Sequence, residues 1–188
     1  HFPEGISPRK VSKVSSRFHA HMSAQGKCYR YRTVKGWAMP QDEKFVLSLK
    51  KLTLDLDHIK LATEFLKGEH DFSAFAASRG KGEDEHPLKN VWRVDVLNRG
   101  QSIDFVVEGG GFLYKMVRSM VGALLDVGVG KLTPVDLKSI LESRKRTEVV
   151  VSAPAHGLCW AKASKYKIQC SIKQWNPPFS FIFNHRIS

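Results

Sequence analysis

The chain has 188 residues, 42% of them hydrophobic, which suffices for one large domain or for one domain with extensions. Lysine and arginine number 30 against 18 acids, and the resulting +12 with a pI near 9.8 favours a polyanionic partner, nucleic acid ahead of an anionic membrane. No apolar run of roughly 18 residues occurs, so no transmembrane helix is expected, and the opening HFPEGISPRK lacks the apolar region of a signal peptide.

In chain order, residues 6–15 partly alternate and predict a strand, which Pro8 keeps at an edge or makes irregular. Cys28 to Val34 alternates strictly, with Tyr29, Tyr31 and Thr33 against Arg30, Arg32 and Val34, and predicts a strand with one aromatic and one basic face. Ordinary strand amphipathicity accounts for this. So does a stacking platform for bases beside a phosphate-facing stripe. Residues 36–54 form a long mixed connection. A helix follows over 56–67, capped by Asp55 or Asp57, with Ile59, Ala62, Phe65 and Leu66 inward and Gly68 as the stop. The stretch GEHDFSAF, pinned by Phe72 and Phe75, leads into a polar loop at 78–87. Strands are expected at 90–97 and 102–107 about an Asn98-Arg99-Gly100 turn.

The next stretch, GGGFLYKMVRSMVGALLDVGVG from Gly109 to Gly130, organises the chain. Leu113, Met116, Val117, Met120, Val121 and Leu124 recur at spacings of three and four and so share one apolar helix stripe. Gly128 and Gly130 are expected to stop this helix, and Lys115, Ser119 and Asp126 to take its surface face. Arg118 falls at the margin of the stripe. It either snorkels its head group into water or meets an anion, a carboxylate or a phosphate, within a site. Thr133 caps and Pro134 opens a further helix through Ser143, and 157–166 reads as a last strand. The tail from Ile168 to Ser188 has no clear periodicity.

This order of strand, helix, two strands, helix with an extra helix, and strand predicts an α+β fold. It is the split βαβ, ferredoxin-like arrangement, an antiparallel sheet with helices on one face. The three cysteines, Cys28, Cys159 and Cys170, are far apart with no CxxC spacing, and read as buried thiols in a reducing compartment. His19 and His21 would share a strand face, but two ligands without others at suitable spacing argue against a metal site. Gly109–Gly111 matches no nucleotide-binding motif. Neither a lysine block nor a basic amphipathic helix supports membrane binding.

Four segments in order resemble the TruA-type tRNA pseudouridine synthases: Arg17-Phe18-His19-Ala20 running into Lys27-Cys28-Tyr29-Arg30-Tyr31-Arg32; Gly68 to Phe75; Gly111 to Gly122; and Ala153-Pro154-Ala155-His156-Gly157-Leu158. The resemblance covers about residues 1–166. It implies a pseudouridine synthase catalytic-domain fold that isomerises uridine to pseudouridine in the anticodon stem-loop of tRNA, with no cofactor and no metal. Such chemistry needs the base out of its stack. By position, Tyr29 is implied to stack on the uracil and Arg118 to pair with a nucleophilic Asp. Leu158 is implied to line the uracil pocket, and Arg17, His19, Arg30, Arg32 and Phe72 to contact the substrate. The resemblance further implies a homodimer at an intracellular location, cytoplasm first, with nucleus and organelle left open.

It also divides the chain into residues 1–26, the end of an N-terminal domain and a crossover; 27–167, the C-terminal catalytic domain; and 168–188, a tail outside the family pattern. The family places its nucleophile in a Gly-Arg-Thr-Asp motif, and no Arg-Thr-Asp occurs here: Arg146-Thr147 precedes Glu148. The chain by itself is therefore expected to be inactive, with the motif upstream of His1. Leu88-Lys89 replaces the family's Arg-Thr pair before the 90–97 strand, and His21 its basic residue after Ala20. A non-catalytic RNA-binding module with the same basic surface is the competing reading.

Overall fold

The computed structural model describes residues 11, 13–19, 23–78 and 86–164. Strand β1 (Gly26–Val34) is followed by the two-residue β2 (Leu47–Ser48), helix α1 (Leu56–Phe65), β3 (Gly68–Asp71) and a 3-10 turn at Ser73–Phe75. Then come β4 (Leu88–Asn98), β5 (Ser102–Gly109), α2 (Met116–Gly128), α3 (Pro134–Ser143), a second 3-10 turn at Ala155–Gly157, and β6 (Leu158–Ser164). The fold is α+β. The sheet runs β2-β1-β5-β4-β3, and β6 also pairs with β1. Among the described residues only β1 and β2 pair in parallel, and the other strand pairs are antiparallel. One edge of β1 is taken by β5 along nearly its whole length, from Lys27 to Val34. The other edge is shared, β6 holding Gly26 to Tyr31 and β2 holding Thr33 and Val34.

Local chemistry sets the boundaries. Asp55 caps α1 by accepting from the amides of Asp57 and His58, both at 3.0 Å, which satisfies donors that the first helical turn leaves over. Thr133 and Asp136 cap α3 reciprocally, and Pro134 sits in its first turn, where a missing N–H costs nothing. Gly100, with φ of +75°, turns the chain between β4 and β5. Helix α2 runs through Gly128, so the stop expected there falls one step later, at Val129 and at Gly130 with φ of +77°.

Period-two alternation gives the sheet two faces. On one, Tyr31, Val91, Val94, Ile103, Phe105 and Val107 meet apolar residues of all three helices, among them Ile59, Ala62, Met120, Leu124 and Leu137. Each large side chain removed from water there contributes about 1.5–3 kcal/mol. The opposite face carries Arg30 and Arg32 of β1, in register with Val106 and Asp104 of β5. Asp104 is fully buried, ion-paired with Arg30 and, at 3.1 Å, with Arg99. A carboxylate this deep is tolerated because cations compensate its lost hydration.

Several sequence expectations are corrected. Ser119, assigned to the surface side of α2, is fully buried, because residues 150–153 lie over that side of the helix. Cys28 is buried as expected but Cys159 is exposed, since it falls on the outward side of β6, and Cys170 lies outside the described residues. The strand expected over 6–15 lies largely outside them too, and residues 13–15 are not in a strand. His21 and the 168–188 tail are also outside. The short strands β2 and β3 went unforeseen. No helix among the described residues is long and apolar enough to cross a membrane, and none of their His, Cys, Asp and Glu side chains cluster in threes to hold a metal ion.

Candidate active site

Three elements converge around Tyr31 of β1. Strand β1 contributes Tyr29 and Tyr31 from its aromatic face, α2 contributes Arg118, and residues 150–158 wrap from α2 back into β6. The wrap is held by close backbone approach. A Cβ on Gly122 would fall 2.0 Å from the carbonyl oxygen of Val151, so the segment rests directly on the helix at a position only glycine permits. A Cβ on Gly157 would fall 2.6 Å from Cζ of Tyr31, so the second 3-10 turn lies on the tyrosine ring. Tyr31 Oη donates to the carbonyl of Pro154 at 2.8 Å, and Leu158 then pairs with Tyr31 across β1 and β6.

Arg118 is fastened at both ends. Its backbone carbonyl accepts from the amide of Ala153 at 2.9 Å, and its Nε donates to the carbonyl of Ala153 at 2.7 Å. That second bond fixes the plane of the guanidinium and leaves its two terminal nitrogens for another acceptor. Among the described residues no carboxylate lies within ion-pairing distance of Arg118. Of the two readings open to the sequence, an arginine aligned by a carbonyl fits an anion-binding group better than a snorkelling side chain, whose head would gain little from a fixed plane.

Electrostatics keep the neighbouring phenols neutral. Burial pushes the Tyr31 pKa far above its ordinary value, and the Arg118 guanidinium draws it back only in part. Burial also raises that of Tyr29. Tyr29 is partly exposed and meets Phe112 edge to face, with ring centroids 5.4 Å apart. Tyr29 thus offers neutral aromatic surface on the same face of β1 as the fully buried Tyr31, whose phenol feels the Arg118 guanidinium. That pairing suits a planar heterocycle next to an anionic group.

Of the residues expected in the site, Leu158 and Arg118 both adjoin Tyr31, and Tyr29 lies two residues before it on the same face of β1. Arg17 and His19 are exposed in the segment leading into β1, which is tied by the Ser23 amide to the His19 carbonyl at 2.9 Å. Arg30 and Arg32 project from the other sheet face, and Arg30 is committed to Asp104. Alternation along β1 dictates this, since neighbours of Tyr29 and Tyr31 must point away from them. Phe72 is fully buried against Phe75 and His70 in the core, which corrects its assignment as a substrate contact. Tyr31 and Phe112 were missed as site residues. The strict alternation of Tyr29 with Tyr31 was the available signal for the first.

A family model described as tRNA pseudouridine synthase matches residues 62–165. The chain is similar to proteins named tRNA pseudouridine synthase A from Bacillus licheniformis (35% identical over 156 residues, 83% of this chain and 62% of the relative) and Exiguobacterium sibiricum (36% over 159 residues, 83% and 61%). A third, from Thermosipho melanesiensis, is 36% identical over 163 residues, 83% of this chain and 63% of the relative. The chain thus spans about three-fifths of the length of these curated relatives.

Proposed function

The chain belongs to the tRNA pseudouridine synthase family, and from that premise we propose that it is the catalytic-domain portion of an enzyme that isomerises uridine in tRNA. The observation that carries this reading is Arg118, held in plane by Ala153 near the neutral Tyr31 and with its terminal nitrogens open to an acid. In the reaction the bond between ribose and the uracil nitrogen breaks, the base turns, and a bond forms from ribose to a ring carbon. The proton displaced from that carbon is returned to nitrogen, so product and substrate have the same composition. Tyr29 is assigned to stack on the turned-out base, Leu158 to line its apolar side, and Arg118 to keep the nucleophilic Asp ionised and oriented.

That Asp is assigned to a segment beyond these 188 residues, in keeping with the three-fifths share of the relatives that the chain spans. The anticodon stem-loop as target, a homodimer and an intracellular location belong to the same proposal. So does the division at residues 26 and 167, and so does the split βαβ, ferredoxin-like description, supported by the β6-β1-β5-β4 order with α1 and α2 as crossovers.

The test compares this chain with a longer protein that adds the Asp-bearing segment, each incubated with unmodified tRNA and assayed by chemical mapping of pseudouridine. The longer protein is expected to form pseudouridine and the 188-residue chain none. Turnover by the chain alone would place the nucleophile among its own acids. Binding of tRNA by the longer protein without turnover would favour a non-catalytic RNA-binding module.

A further inference from the structure

Arg146 holds four oxygens, though it lies at the surface. Its Nη1 donates to the carbonyl of Ala76 at 3.1 Å and to Oγ of Ser119 at 3.0 Å. Its Nη2 donates to the carbonyl of Val150 at 2.9 Å and to Oγ of Ser152 at 3.3 Å. The two serine hydroxyls bond each other at 2.9 Å. Ser119 follows Arg118 on α2, and Ser152 precedes Ala153. One guanidinium therefore grips both sides of the contact that sets the plane of Arg118, and ties it to the residue following the first 3-10 turn.

We propose that Arg146 is a positioning residue for Arg118: it locks residues 150–152 onto α2, so that the Ala153 carbonyl aims the Arg118 guanidinium at its acid. The role in catalysis rests on the function proposed above; the lock itself does not. Four acceptors spread over three chain segments need a planar fork of donors, which Lys cannot supply with a single ammonium. The pair of serines explains why a hydroxyl is buried at position 119, on the side of the helix where a surface residue was expected.

The test reads the lock directly, by hydrogen exchange of the Arg118 Nε–H in NMR spectra of the 188-residue chain, referenced to backbone amides of β5. Arg146→Ala is expected to speed Nε–H exchange at least tenfold while β5 protection stays at the wild-type level. Arg146→Lys should fall between the two, and Ser152→Ala, which removes one leg only, should give a smaller change in the same direction. A merely structural Arg146 would speed all sites alike, so an unchanged ratio of Nε–H to β5 exchange in folded Arg146→Ala would overturn the proposal. If that variant does not fold, the same ratio in Ser152→Ala decides. In the longer protein, Arg146→Ala should lower the single-turnover rate with tRNA affinity unchanged. Wild-type inactivity there would count against the functional reading, and an unchanged exchange ratio would count against the lock.

Discussion

Gly122→Ala gives a signed test of how the site is built. On an exposed helix the change would stabilise, because alanine exceeds glycine in helix preference by about 1 kcal/mol. Here the new methyl would lie 2.0 Å from the Val151 oxygen, 3.1 Å from its carbon and 3.2 Å from the Ala153 nitrogen. All three are backbone atoms, so no rotamer change relieves the clash. Residues 151–153 must withdraw by about 1 Å, and hydrogen bonds now at 2.9 Å and 2.7 Å between Ala153 and Arg118 then pass out of range. Losing a neutral bond costs about 1 kcal/mol and a guanidinium bond about 2 kcal/mol, which the helix preference offsets in part. The net is a loss of about 2 kcal/mol, or roughly 4–8 °C in Tm for a domain of this size. Urea and thermal unfolding followed by circular dichroism measure it. A Tm equal to or above that of the wild type would refute the account, since it would mean that the wrap does not rest on the helix.

Two further outcomes are expected. In the longer protein, Arg118→Leu should leave the partner carboxylate buried and unpaired, raising its pKa and slowing single turnover at least a hundredfold with little change in tRNA affinity, while Arg118→Lys retains part of the rate; weaker binding with a normal rate once bound would instead make Arg118 a phosphate contact. The chain should bind tRNA with affinity that falls steeply as salt rises, but Arg30→Gln should not flatten that slope, because Arg30 serves Asp104. It should instead lower stability by about 2 kcal/mol, the usual cost of breaking a buried pair being trimmed by the remaining Arg99; a slope shallower by about one would return Arg30 to the nucleic-acid interface.

What the sequence disclosed follows from periodicity and punctuation. The apolar stripe of α2, the capping residues of α1 and α3, and the strand containing Tyr29 and Tyr31 are local patterns, and each forms where local chemistry requires it. The errors arise where a distant segment decides. Ser119 looks like a surface residue until residues 150–153 are laid over it. Arg30 looks like a phosphate contact until Asp104, far along the chain, arrives opposite it. Phe72 belongs to a motif that resembles the family's, yet its ring fills the core. Strand β2, two residues long, has too few side chains to carry any periodic signal. At the site, Arg118 could be singled out from its helix position, but the carbonyl that orients it belongs to a loop with no period at all.

The shared edge of β1 has a consequence in time. Tyr31 pairs with Leu158, close to opposite ends of the described chain, so the closure that forms the site has one of the largest loop entropies in the fold. A chain leaving the ribosome presents its first part first, and β1 can meet β5 well before Ala153 and Leu158 exist. Until β6 arrives, one side of β1 is covered only where β2 touches Thr33 and Val34, and its remaining backbone groups stay open to pairing with other chains. Synthesis halted ahead of β6 would therefore yield a product that has a nearly complete core and no site, with a bare strand edge by which aggregation or proteolysis can distinguish it from the finished molecule.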